Sequence, residues 1–255
     1  LKSLPLLEVA ILIPVYRNAT TLVELEKRIG STLVDKYPNY QIIFIVDASP
    51  DESWSIVQHL ACNDSRVSGI LLGFNQGQHC ALMLGLHFIR ARRVVVMDAD
   101  LQDPPELLAA LLYESDRTGM SIFALRNGRY QSQIRMLTSR IFKYFLGQLI
   151  DLPVGAGTYF VVTESVADKI RCADVKFVQL VVMARMFSSG WSSISYMREF
   201  RVEGVSAYSS WKRLQSAMRS FLCVWECRDL MKRKPAVFVG VRQKLIPLMI
   251  ERINI

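Results

Sequence analysis

Cysteine is scarce in this chain, and its spacing is unproductive. The 255 residues hold Cys62, Cys80, Cys172, Cys223 and Cys227. An odd number with no Cys-x-x-Cys pair argues against a disulfide framework or a zinc site, and buried free thiols in a reducing compartment are the default expectation. Histidine is scarcer still, and His59, His79 and His87 have no ligand spacing. Long hydrophobic runs are missing. The most apolar stretches, at 177–188, 221–225 and 236–250, are short or broken by Arg, Lys, Glu or Gln, and none approaches the ~18–20 residues that cross a bilayer. No secretory or transit signal is visible. Gly and Pro are modest and no low-complexity run occurs, which argues against disorder. Acidic residues are the minority charge, 23 against 31 basic, for a net charge of +8. That balance favours anionic partners such as nucleotide phosphates or an anionic lipid surface. The basic residues are dispersed and carry no recognition motif, so no nucleic-acid partner is expected.

What is present is a regular alternation. Apolar, β-branched runs at residues 9–15, 41–46, 67–72 and 93–97 read as buried strands. Between them lie segments of helical period at 20–34, from 51 to about 62, and 76–90, and a further helix opens at Pro104-Pro105-Glu106. Strands this apolar belong to a parallel sheet covered on both faces, whose ligands bind at the carboxyl edge. The second half predicts strands near 121–125, 158–162 and 192–200. It predicts helices over 131–149, 164–172, 177–188 and 210–230, followed by an amphipathic tail.

Polar residues fall where that edge needs them. Asp47 follows the second strand, and Asp98-Ala99-Asp100-Leu101-Gln102-Asp103 follows the fourth. Side chains at i and i+2 on an extended chain point the same way. Asp98 and Asp100 would therefore offer two hard oxygen donors to Mg²⁺ or Mn²⁺, with phosphates completing the shell and Gln102 as a third oxygen. A solvated strand end is the bland alternative, since a bare Asp-x-Asp is common in turns.

Context decides between them. The segment RVVVMDADLQDPPE at 93–106 resembles one shared by the polyprenyl-phosphate sugar transferases of glycosyltransferase family 2, the dolichol-phosphate mannose synthases and bactoprenol glucosyltransferases. Other segments agree in order and spacing from about residue 9 to 215. They are Ile13-Pro14-Val15-Tyr16, the acidic turn Asp47 to Asp51, and NQGQHCALMLG at 75–85. Further along come Arg126 with Arg129, the stretch from Leu137 to Arg140, and Arg201-x-x-Gly204-x-Ser206-x-Tyr208. The resemblance implies a GT-A fold, a Rossmann-like, mostly parallel α/β sheet flanked by helices, and inverting sugar transfer. A nucleotide-sugar donor would lie over Pro14, Val15, Tyr16, Asn18, Asp47, Gln78, Asp98 and Ala99. Asp98, Asp100 and Gln102 would hold the metal. Arg126, Arg129 and Ser139 would face the phosphates, and Arg201 and Ser206 would sit on a lid. Asp100, Asp103, Arg126, Arg129 and Arg201 form the implied catalytic set. UDP is the favoured base carrier, with GDP and dTDP open.

The chain also departs from the pattern. Arg17-Asn18 stands where Asn-Glu usually follows the tyrosine. Val46 and Ala48 replace the first acid and the glycine of the acidic turn, and Phe74 replaces an arginine. At Gly157-Thr158-Tyr159-Phe160 the family has Gly-Asp-Phe-Arg, so a carboxylate and an arginine are gone. Three readings follow: a lipid-phosphate acceptor that needs no base, a different carboxylate such as Asp103 or Asp151 as base, or a changed glycan acceptor. A non-catalytic nucleotide-sugar- or partner-binding relative is the alternative. The expected organisation is a catalytic domain over 1–215 and an amphipathic helical extension over 216–255, in a cytoplasmic protein with peripheral membrane contact. Self-association is left open.

Overall fold

The computed structural model describes residues 6–127, 146–197, 210–232 and 250–254. Its first half follows the alternation of the sequence. In order come β1 (Leu7–Val15), α1 (Leu22–Leu33), β2 (Tyr40–Val46), α2 (Ser53–Asn63) and β3 (Val67–Leu72). Then come α3 (Gln78–Gly85), β4 (Ala91–Val96), α4 (Leu107–Thr118) and β5 (Ser121–Asn127). The second half adds β6 (Ala156–Thr163), α5 (Glu164–Cys172), α6 (Leu180–Phe187), β7 (Trp191–Met197), α7 (Ser210–Lys232) and β8 (Ile250–Asn254).

These strands form one sheet in the order β7-β5-β6-β4-β1-β2-β3-β8. The pairs β1–β2, β2–β3, β1–β4 and β5–β7 are parallel, while β6 runs antiparallel to both β4 and β5. The chain leaves β1 towards β2 and β3, then returns to place β4 on the other side of β1. That reversal opens a crevice at the carboxyl ends of β1 and β4, where open α/β sheets bind ligands.

Strand alternation builds the two cores. Val9, Ile11, Ile13 and Val15 of β1 face Leu22, Leu25 and Ile29 of α1, Val57 of α2, and Leu108, Leu111 and Leu112 of α4. Ala10 and Leu12 face the other way, with Ala81 and Leu82 of α3, Val166 and Ile170 of α5, and Leu180 and Met183 of α6. A parallel strand buried on both faces has to be apolar throughout, which is why β1, β2 and β4 show no polar alternation.

Several sequence expectations are corrected. The helix expected over 76–90 gives way after Gly85 to a short 3-10 turn at Leu86–Phe88. The expected C-terminal helix is present as α7, but the last described residues are not helical, since β8 pairs antiparallel with β3, Ile70 opposite Ile253. Nor does a seam open at residue 215. That position lies inside α7, whose Cys223, Val224 and Cys227 join the same core cluster as the sheet. Of the helix expected over 131–149, the described part, 146–149, is helical and continues to 150.

Candidate active site at the carboxyl edge of the sheet

Three loops meet at this edge, and each carries a strained residue. Arg17 after β1, Ala48 after β2 and Leu101 after β4 have φ of 58°, 48° and 58°. Such conformations disfavour residues with a Cβ and persist where the surroundings enforce them. Here the loops are stitched together. The Arg17 amide donates to Ser49 Oγ at 2.8 Å, the Ala19 amide to Asp51 Oδ2 at 3.1 Å, and Thr21 Oγ1 to the Ala99 carbonyl at 2.6 Å. Asn18 Oδ1 accepts the Tyr16 amide at 3.2 Å. Tyr16 is exposed, whereas Val15 is buried and could reach a nucleotide only through its backbone; Pro14, just before it, is half-buried.

Asp47 is almost wholly buried, and its role is more structural than the motif suggested. Its two carboxylate oxygens accept the Gln76 amide at 2.7 Å and the Gly77 amide at 2.8 Å, and its carbonyl accepts Asn75 Nδ2 at 3.2 Å. It thereby fixes the turn into α3. Burial lifts its carboxyl above the usual range, and the two amides pull it partly back.

Asp98 is the hub. Its Oδ1 accepts Gln78 Nε2 at 2.5 Å and Thr158 Oγ1 at 2.7 Å, and its Oδ2 accepts Arg126 Nη2 at 3.0 Å. The same Arg126 nitrogen reaches Asp103 Oδ2 at 2.8 Å, and Arg126 Nε donates to the Tyr196 hydroxyl at 3.2 Å. Tyr196 in turn donates to Asp103 Oδ1. A guanidinium clamped between two carboxylates is a charge-assisted arrangement. Burial works against its charge, but Asp103 and Asp98 hold Arg126 protonated, above even its ordinary high range. Burial, reinforced by Asp103, likewise raises the Tyr196 phenol, which stays neutral.

Two local features aim Arg126. The register of β5 against β6 shifts between Phe123 and Leu125, just before it, and such irregularities redirect side chains. Gly157 of β6 then clears the path, because a Cβ there would lie 2.8 Å from Arg126 Cζ. The departure at Thr158 becomes intelligible in this setting. A carboxylate there would be a third acid beside Asp98 and Asp103 around one arginine, whereas the threonine hydroxyl donates to Asp98. Phe160 has no solvent exposure and packs against Phe123, with ring centroids 5.8 Å apart. An arginine is thus replaced by core.

The expected base Asp103 is corrected: it is fully buried and held between Arg126 and Tyr196, so it positions the arginine rather than facing an acceptor. Asp151, the other candidate, is paired with Arg185 Nη2 at 2.9 Å and Trp191 Nε1 at 2.9 Å, contacts that lower its carboxyl further. Arg129, Ser139, Arg201 and Ser206 lie outside the described residues. Tyr196 was not anticipated. A lone tyrosine at a strand end carries no motif, and only the β5–β7 pairing brings it opposite Arg126.

Asp100 and Gln102 stand at the lip of this network, both half-buried, with Asp100 Oδ1 accepting the Gln102 amide at 3.2 Å. Among the described residues no three His, Cys, Asp or Glu side chains converge as a metal cage. Mg²⁺ and Mn²⁺ do not require one, since one or two carboxylates plus substrate phosphates suffice. The oxygen donors present fit such an ion. Part of the charge that the Asp-x-Asp pattern seemed to reserve for a cation is already balanced by Arg126.

Comparison with known proteins gives the family and the fold. The family model for glycosyl transferase family 2 matches residues 10–170. The chain belongs to that family. The matched span of this family 2 member runs from β1 to α5 and so includes all three loops and Arg126. Among relatives, the glycosyltransferase YkcC of Bacillus subtilis (strain 168) is 27% identical over 217 residues, 83% of this chain and 67% of that protein. The undecaprenyl-phosphate 4-deoxy-4-formamido-L-arabinose transferase of Pseudomonas fluorescens (strain SBW25) is 31% identical over 234 residues, 87% and 66% of the two chains. The enzyme of the same name from Shewanella sediminis is 35% identical over 134 residues, 52% and 40%. This family 2 chain therefore spans about two-thirds or less of the length of these relatives. Solved structures share its fold. Mannosyl-3-phosphoglycerate synthase from Rubrobacter xylanophilus superposes with a TM-score of 0.60 at 16% identity, covering 91% of this chain and 78% of that one. Glucosyl-3-phosphoglycerate synthase from Mycobacterium tuberculosis, in complex with Mn²⁺, UDP-glucose and phosphoglyceric acid, gives 0.60 at 13% identity, covering 87% and 80%. The fold is that of the GT-A glycosyltransferases.

Proposed function

We propose that this chain transfers a sugar, with inversion, from a nucleoside-diphosphate donor to a lipid-linked acceptor, a polyprenyl phosphate being favoured over a growing glycan. The observation that carries the proposal is the partly buried ion triad of Asp98, Arg126 and Asp103 at the switch point of the sheet, flanked by Asp100 and Gln102. Two of the relatives, from Pseudomonas fluorescens and Shewanella sediminis, are named as undecaprenyl-phosphate transferases, which supports the acceptor class.

Each residue has a part. The loops after β1 and β2, tied together through Ser49 and Asp51, would frame the base and ribose of a UDP, GDP or dTDP donor. Asp100 and Gln102 would hold Mg²⁺ or Mn²⁺ against the diphosphate, where the ion offsets charge developing on the leaving group. Arg126 supplies a fixed positive charge beside it. A dipole or charge preorganised in a dry site does not have to reorient as the bond breaks. Asp98 and Asp103 keep that guanidinium in place, and Tyr196 locks its orientation.

The acceptor follows from what the site lacks among the described residues. Thr158 cannot take a proton from a hydroxyl, and Asp103 is committed to Arg126. A phosphate monoester, with a second pKa near 6, is already largely ionised at neutral pH and needs no general base. The test is transfer of label from a set of nucleotide sugars, with Mn²⁺ present, to undecaprenyl phosphate or to its dephosphorylated alcohol. Transfer to the phosphate alone is expected. Transfer to the alcohol at equal rate would overturn the acceptor reading, and no transfer from any donor would overturn the enzymatic one.

A further inference from the structure

The carboxyl edge of β1, β2 and β3 carries two exposed aromatic rings and hides the acid between them. Tyr16 follows β1 and is 43% exposed, and Phe74 follows β3 and is 53% exposed. Asp47, after β2, lies between them in the sheet, since Val15 is opposite Val46 and Val46 opposite Leu71. It is 3% exposed, and each of its carboxylate oxygens already accepts a backbone amide, that of Gln76 or of Gly77. A base N–H presented from the crevice therefore meets little of that carboxylate. The two aromatic residues stand two strands apart, about 9–10 Å at the backbone, a spacing that admits one flat base between their side chains. Arg17 extends the surface. Its guanidinium lies over the Tyr16 ring, 5.6 Å from the centroid, and a guanidinium plane is itself a stacking surface. The loop that carries Phe74 is open, because a Cβ at Gly73 or Gly77, its two ends, would meet nothing within 4 Å. One exposed aromatic residue is ordinary. Two of them beside a stacked arginine, at the edge where an open α/β sheet binds ligands, form a platform.

We propose that Phe74, with Tyr16 and Arg17, holds the base of the donor by its faces, so that the chain accepts nucleoside diphosphates with little regard to the base. Stacking on aromatic side chains is tolerant, because every base has a π-face. Discrimination needs a polar group set against the base edge, where the wrong base leaves it unpaired. Asp47 would be that group for the N3–H of uracil or the N1–H of guanine, and its bonds to the turn before α3 withdraw it. A phenyl ring at position 74 offers no N–H to a base edge, unlike the arginine it replaces. Selection among donors then falls on the sugar and on the diphosphate beside Asp100. This inference rests on the nucleotide-sugar donor proposed above and names the residue that sets the breadth of its base preference.

The experiment is calorimetric titration of UDP, dTDP, GDP and ADP, each with Mg²⁺, into wild type, Phe74→Ala and Phe74→Trp. The wild type should bind all four within about tenfold of one another. Phe74→Ala, a change at an exposed position, should weaken all four by about tenfold, while Phe74→Trp, which keeps a flat ring, should bind them at least as tightly as wild type. A wild-type preference of about 100-fold or more for one base, unchanged affinities in Phe74→Ala, a loss confined to one base, or an equal loss in Phe74→Trp would each overturn the platform and leave the transferase reading standing. Failure of all four to bind the wild type would instead overturn the nucleotide-sugar reading, and the platform with it.

Discussion

Arg126→Met removes the one cation that the described structure places between Asp98 and Asp103 while keeping much of the side-chain volume. Both carboxylates are within 3.0 Å of Arg126 Nη2, and Asp103 is fully buried. Removing one partner of a buried pair typically costs about 3–5 kcal/mol, because the remaining charge is left uncompensated. For a chain of this size each kcal/mol moves the melting temperature by about 2–4 °C, so a fall of roughly 6–20 °C is expected. The double variant Arg126→Met, Asp103→Asn removes the buried uncompensated charge and should recover a good part of the loss, a coupling of about 1–3 kcal/mol. Urea unfolding of the wild type, both single variants and the double variant gives the cycle. A single-variant loss below about 1 kcal/mol, or strictly additive effects, would refute the idea that Arg126 is the counter-ion of Asp98 and the buried Asp103. Because Arg126 has its pKa raised on folding, its contribution is complete below its unfolded value and is lost only in strong alkali. The wild-type cost of this pair should therefore show no change between pH 7 and 10.

Further outcomes follow from the same geometry. Gly157→Ala puts a methyl 2.8 Å from Arg126 Cζ and must displace the guanidinium, so sugar transfer should fall about 100-fold while thermal stability falls far less; unchanged transfer would contradict the aiming role. Ala48→Gly relieves a left-handed φ of 48° and should stabilise by about 0.5–1 kcal/mol, after the entropy cost of glycine, in denaturant unfolding. His79 is held neutral on folding, its pKa pushed down to about 4, with burial as the main cause, Asp98 opposing and Arg219 assisting. The unfolded chain takes up that proton near pH 6.5, so stability should be lost as the pH falls from about 6.5 towards 4, by up to about 3 kcal/mol. His79→Gln should remove that slope; a slope that survives it belongs to other groups.

The parallel half of the fold was legible because each strand is buried on both faces and must be apolar throughout, and because the acidic residues sit just past the strand ends. Asp98, Gln78 and Arg126 were named by motif, and the structure brings all three together. Other features were hidden for physical reasons. The partner of Asp103 depends on β5 lying beside β7, a pairing that sets Arg126 against Tyr196 across 70 positions of sequence. Tyr196 therefore looked like any strand tyrosine. The departure at Thr158 read as a loss, yet beside Asp98 and Asp103 a neutral donor avoids a third like charge. The strand at the end of the tail was not legible because a five-residue strand such as Ile250–Asn254 is specified by the open edge of β3 and not by its own short pattern.

The central claim is that the carboxyl edge of β4 binds a nucleoside diphosphate through Asp100. Calorimetric titration of UDP, GDP and dTDP into wild type and Asp100→Ala, each with and without Mn²⁺, tests it directly. The account predicts that at least one of the three, UDP first, binds the wild type with Mn²⁺ present, and that binding weakens by at least about tenfold without the ion or in Asp100→Ala. Failure of all three to bind the wild type, or equal affinity in the variant, would contradict it.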